Sequence, residues 1–264
     1  MGPIPLTPYD LGLAAVLVLL LSATSYYARL AISQPLLLGG LRTAVQLVLI
    51  GVVLEALFAS SRLRWVVLMA LVMLLFAGRE VLARQQRRFT GWWGYGLGTV
   101  AMFVSSFAVT VLALVAIIQP VPWYRPQYAI PLLGMLLGNT MSGVALALDR
   151  LTQGAWQQRT IIEGRLLLGQ RWSEAIGPVR REAMRSGMIP TISGMATAGV
   201  VSLPGMMTGQ ILAGVSPIQA VKYQILVIFL IAAGTGFGTQ LAVSVGSRRL
   251  FDERERLRLD RLKG

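Results

Sequence analysis

Apolar runs long enough to cross a bilayer recur along the 264-residue chain, and polar residues gather between them in short links and one long one. A helix needs about 20 predominantly apolar residues to cross a hydrocarbon core of about 30 Å. Residues 9–28 meet this, and 11–21 are almost wholly Leu, Val and Ala. Further spans are expected at 36–58, 65–83, 99–118, 128–148 and 218–245. The link at 59–64 is short, so the second and third helices are antiparallel neighbours. Residues 188–213 are apolar but hold Pro190, Gly194, Gly199, Pro204, Gly205 and Gly209. Such a run breaks a helix, and irregular backbone at membrane depth persists only where protein or water satisfies it. The pattern predicts an all-α polytopic protein of about seven transmembrane helices forming one membrane domain. It has five helices over 9–148, a cytoplasmic loop over 149–189, two helices over 190–245 with the first broken, and a tail over 246–264.

Polar residues inside the apolar runs are the candidates for a substrate pathway. Arg42 and Gln46 lie four apart on one helix face, with Glu55 further along the same helix. A central arginine costs about 2.5–3.5 kcal/mol of insertion, so Arg42 either lines a pathway or reaches back to the interface. Glu55 has the same two readings. Asn139 and Ser142 share nearly one face of the fifth helix, where Gly134 and Gly138 form a small-xxx-small pair suited to close packing. In the broken region Met206, Met207 and Gln210 could contact a soft or chelated metal, although methionines in membrane helices usually serve packing, and Tyr223 and Gln224 follow at the start of the last helix. The stretch 91–98, with two tryptophans, a tyrosine and alternating glycines, reads as an interfacial segment.

Composition narrows the class. The chain is 55% hydrophobic and 13% charged, with mean hydropathy +0.66, more apolar surface than a soluble fold of this size can hide. There is no cysteine and no histidine, which excludes disulfides, thiolate or imidazole metal sites and histidine acid–base chemistry. No nucleophile–base set suggests a membrane enzyme. The net charge of +13 would point to nucleic acid in a soluble protein. Here the arginines collect at segment ends, so membrane orientation explains them. With the N-terminus outside, the inner segments hold one, three, seven and seven basic residues, eighteen of the 24. The outer links hold only Arg62, Arg64 and Arg125. The expectation is N-terminus out and C-terminus cytoplasmic. Residues 1–10 carry no Lys or Arg, so the first apolar run is expected to remain as a helix rather than be removed as a signal peptide. The tail from Arg248 mixes both signs of charge and reads as a solvated helix.

The long basic loop has an ordered centre. Glu163-Gly164-Arg165 is followed by Leu166-Leu167-Leu168, then Gly169, Gln170, Arg171, Trp172, Ser173, Glu174 and Ala175. An acidic residue, two small or basic positions, apolar residues and a glycine resemble the coupling motif of ABC-transporter permeases. There a short helix ends at a glycine turn and docks on a separate ATPase.

Four stretches extend the resemblance: Gly40 to Leu47, Gly138 to Ser142 with Leu146 to Leu151, Ser186 to Thr191, and Val201 to Gly214 with Ser216-Pro217 and Lys222 to Ile225. They resemble the FetB-type permeases, membrane subunits of a proposed bacterial iron-export ABC transporter, and are similar to plant aluminium-tolerance permeases. The resemblance covers roughly residues 9–245. It implies a homodimer in the bacterial inner membrane, working with two ATPase subunits that hold ATP and Mg. It places Glu163, Gly164, Arg165 and Gly169 at coupling positions, with Trp172 and Ala175 just beyond. Gly164 stands where many such permeases have alanine, and Arg181-Glu182 replaces a frequent Leu-Pro. The chain has no phosphate-binding loop of its own, so ATP hydrolysis belongs to the partner. The chemistry of the cargo is open, because iron prefers carboxylate, imidazole or thiolate ligands that the spans mostly lack. A permease for another solute or lipid remains an alternative. So does an ion-coupled carrier, which the lack of acidic residues at mid-membrane disfavours.

Overall fold

The computed structural model describes residues 7–30, 32–60 and 62–263. The first six residues of the basic-free N-terminal stretch therefore lie outside the described residues. The elements are α1 (Pro8–Tyr27), α2 (Ser33–Ser60), α3 (Leu63–Ala83), β1 (Arg88–Phe89), α4 (Trp92–Ile118), α5 (Pro126–Gln157), α6 (Arg159–Leu167), α7 (Trp172–Ala175), α8 (Gly177–Thr197), α9 (Gly205–Leu212), α10 (Pro217–Arg249) and β2 (Leu262–Lys263). Among the described residues six helices, α1 to α5 and α10, have the length and apolar content to cross a membrane.

The centre is built by α5, α8 and α10, with α3 and α4 packed around them. Glycine makes this closeness possible. A Cβ on Gly187 of α8 would sit 2.7 Å from the carbonyl oxygen of Gly143, and one on Gly143 would sit 2.9 Å from that of Gly187, so the two backbones touch. Gly238 of α10 faces Ser105 and Thr140 equally closely. Two wide π-helical turns, Phe103–Phe107 and Ala113–Ile118, re-aim α4 across this centre. By contrast α1 packs mainly on α2, and α2 meets the body through Leu54 and Leu57 in an apolar cluster and through an Arg42–Glu80 ion pair at 3.1 Å. The rest of both helices exposes apolar side chains, as a lipid-facing surface does.

At 1.5 Å per residue, the 32 residues of α5 extend about 48 Å, well beyond a hydrocarbon core of about 30 Å. The excess joins a crown at one end of the bundle. There Asp149 accepts from the Gln86 backbone N–H at 2.8 Å, the Thr152 hydroxyl donates to the Arg87 carbonyl at 2.7 Å, and the Arg87 guanidinium lies 4.0 Å from the Trp156 ring centre. β1 and β2 pair antiparallel, Arg88 opposite Lys263 and Phe89 opposite Leu262. Segments 84–91, 149–185 and 248–263, all basic, thus meet on one side.

Several expectations are corrected. The fifth helix does not stop at 148, because Leu151, Thr152 and Ala155 keep its buried face going and Gly154 packs on Val179. The fourth helix begins at Trp92 rather than at 99, and its glycines serve close packing, Gly94 against Phe89 and Gly98 against Val81. Gly134 approaches Met73, but Gly138 meets nothing within 4 Å, so the small-xxx-small pair is not a packing seam. The region 188–213 is broken, as its prolines and glycines predict, into the end of α8 and a separate α9. Between them Gly199 has φ +83° and its N–H donates to the Ser202 carbonyl. The tail is not a solvated helix. It folds back on the crown, where Arg261 caps α10 by donating to the carbonyls of Arg249 and Phe251.

Candidate functional site

The crown holds the strongest candidate. α6 ends in a glycine turn in which the Gly169 N–H donates to the Leu166 carbonyl and the Gln170 N–H to the Arg165 carbonyl, with Gly169 at φ +84°. This pair of bonds is a Schellman cap, which favours glycine at its left-handed position. The inner side of the unit is buried: Ile162 is 1% exposed, Ala175 and Ile176 0%. These three belong to the apolar cluster that holds Val144, Leu148 and Leu151 of α5 and Val243 of α10. The outer side is the reverse, with Leu167 88% and Leu168 86% exposed at the turn. Two bare leucines outside the spanning helices, on an element whose base is continuous with the core of the bundle, suit a docking tip.

Each residue expected at a coupling position has a definite place. Arg165 donates to the Ala175 carbonyl at 3.2 Å and ties α6 to α7. Trp172 stacks on Phe251 with ring centres 5.7 Å apart, and Arg248 lies 5.1 Å from the same ring. The Trp172 backbone N–H donates to Glu255 at 3.0 Å. Glu163 forms no ion pair among the described residues. Gly164 sits mid-helix with open space where a side chain would go.

The tail contacts were missed in the sequence. Residues 252–256 form a tight hairpin around Asp252, whose carboxylate accepts from the backbone N–H groups of Arg254 and Arg256 at 2.9 Å each and pairs with the Arg256 guanidinium at 2.8 Å. The backbone hydrogen bond from Arg256, helped by its side chain, holds the Asp252 carboxyl below its ordinary value. Glu255 sits at φ +57°, unusual for a non-glycine residue, with its carboxylate turned to Trp172.

The proposed pathway residues do not converge on one cleft. Arg42 is paired with Glu80, while Gln46 and Glu55 lie exposed on α2. Asn139 is exposed and donates to the Met135 carbonyl at 2.8 Å. Met206 packs against the cluster that holds Leu57 and Leu136, and Met207 and Tyr223 are half-buried. The carbonyl oxygens of Gln210 and Gln224 are buried without a hydrogen-bond partner, so α9 and the start of α10 carry the orphaned polar atoms of this set. Among the described residues no three His, Cys, Asp or Glu side chains come together as a metal site.

An all-α chain with six apolar helices of spanning length is a polytopic membrane protein. Residues 8–251 match the uncharacterised protein family UPF0014, and the chain belongs to that family. It is 39% identical to UPF0014 membrane protein slr1647 of Synechocystis over 233 residues, 86% of this chain and 87% of that one. It is 31% identical to the probable iron export permease protein FetB of Escherichia coli over 263 residues, 98% of this chain and 97% of that one. It is 30% identical to protein ALUMINUM SENSITIVE 3 of Arabidopsis thaliana over 223 residues, 84% and 80% of the two chains. No solved structure matches the chain.

Proposed function

We propose that this chain is the permease subunit of an ATP-driven ABC transporter that exports iron or a metal complex across the bacterial inner membrane. The observation that carries the reading is the crown, where an exposed Leu167–Leu168 tip stands on a base buried in the apolar cluster of the helix bundle. The named likeness to an iron export permease over nearly the whole chain supports the cargo.

In this reading ATP and Mg are bound by a separate ATPase subunit, and two copies of the permease form the membrane half. The basic crown faces the cytoplasm, which sets the N-terminus outside. Docking at the tip moves α6 and α7, and the shared apolar cluster passes that movement to α5 and α10, because close-packed interiors transmit strain. Gln210 in α9 and Gln224 in α10 carry buried, unpartnered side-chain amide oxygens, and Met206 and Met207 lie one turn before Gln210 on α9. Iron passes transiently or as a complex, because among the described residues no carboxylate cluster is present to hold a bare ion tightly.

The test is ATP hydrolysis by the full chain reconstituted in lipid with its ATPase, with and without iron. The reading predicts that iron stimulates turnover and accumulates on the far side of the membrane. Turnover indifferent to iron would keep the permease and overturn the cargo.

A further inference from the structure

We infer that the docking surface is composite, formed by the Leu167–Leu168 tip together with the C-terminal hairpin at 252–257, and that the ATPase subunit inserts an element between them. The inference rests on the coupling reading above and extends it to a segment beyond the residues that the family model matches.

A cleft of about 680 Å³ separates the two parts. Glu163, Leu166, Leu167, Gly169 and Gln170 form one wall, and Arg254, Glu255, Arg256 and Leu257 form the other. The far wall is a built structure. Phe251 and Leu257 bridge antiparallel, the Asp252 N–H donates to the Arg256 carbonyl, and the Arg258 N–H donates to that of Leu250 at 2.7 Å. Glu255 keeps its left-handed backbone by bonding to Trp172, the residue that opens α7, so the hairpin is fastened to the coupling unit itself. Backbone strain of this kind persists where surrounding contacts over-determine it.

The charges at the rim select the occupant. Asp252 and Arg256 satisfy each other, and Glu255 is used by Trp172. Glu163 on one wall and Arg254 on the other have no ion-pair partner among the described residues, and Arg254 is exposed. The complementary surface is an apolar projection for Leu166, Leu167 and Leu257, with a basic residue opposite Glu163 and an acidic one opposite Arg254. Charges at a rim act mainly on association rate and specificity, and their effect falls with salt.

The experiment measures binding of the purified ATPase subunit to the full-length permease in nanodiscs, at low and high salt, for wild type, Arg254→Glu and Leu167→Asp/Leu168→Asp. Arg254 makes no contact that shapes the hairpin through its side chain, so its reversal leaves the fold intact. The expected result is binding about tenfold weaker for Arg254→Glu at low salt, with the difference shrinking at high salt. Unchanged binding of Arg254→Glu alongside loss in the leucine variant would overturn the composite surface and leave the coupling reading standing. Unchanged binding in both variants would overturn both.

Discussion

Gly164 and Gly169 stand five residues apart, and a methyl group has opposite consequences at the two. Both have open space, so neither substitution clashes. Gly164 lies inside α6 with ordinary helical geometry, where alanine favours the helix by about 1 kcal/mol. Gly169 is left-handed, where any Cβ costs about 1–2 kcal/mol. Gly164→Ala should therefore keep or raise transport activity, and Gly169→Val should lower it while membrane insertion stays normal. Equal loss in both variants would show that the turn's conformation is not what matters. At the same scale, Arg42 and Glu80 pair across α2 and α3. Glu80→Gln leaves the Arg42 guanidinium without its partner on an apolar helix. The yield of inserted protein should fall several-fold and recover in the charge-swapped Arg42→Glu/Glu80→Arg double variant. Full yield in the single variant would remove the pair's structural role.

Among elements, the contact of α5 with α8 is the tightest test of the bundle. A Cβ on Gly187 meets the Gly143 carbonyl oxygen at 2.7 Å and the Ala147 Cβ at 2.8 Å, and neither can swing away. Gly187→Ala should cost about 1–3 kcal/mol as overpacking, read as a lower unfolding temperature in detergent. Gly138→Ala, on α5 and facing nothing within the chain, is the control and should leave it unchanged. Which glycine was the seam could not be read from spacing. Gly134 and Gly138 have the familiar interval, yet the contact falls on Gly143 because α8 crosses there, and no local pattern announces a partner 44 residues away. The spans themselves were legible, since apolar length alone sets them. Their ends were less so. Asp149 and Arg150 looked like an exit, but α5 runs on to Gln157 because its buried face continues into the crown.

The whole molecule divides into a bundle in contact with lipid and a crown packed on one end of it. The glycine turn of the crown was visible in the chain, because Glu163, three leucines and Gly169 carry their own local geometry. The tail was not. Its structure comes from long-range pairs, Phe89 with Leu262 and Trp172 with Phe251 and Glu255, while its mixed charge suggested a solvated helix. Nor did the pathway residues gather as their polarity suggested, since Arg42 is used by Glu80 and Asn139 by its own helix. What unites the molecule is the single apolar cluster from Ala70 of α3 through Leu148 of α5 to Ile162 and Phe251 of the crown. Such a cluster ties the crown to the spans by packing.

The most direct measurement is recovery of the ATPase subunit with the full-length permease, comparing wild type with Leu167→Asp/Leu168→Asp. Burying a leucine fully is worth about 1.5–3 kcal/mol, so losing two should weaken docking by about 10²-fold or more. The account predicts that wild type retains the ATPase, while the variant inserts normally and loses it along with stimulated ATP hydrolysis. A variant that still holds the ATPase at wild-type ratio would contradict the assignment of the crown as the coupling site.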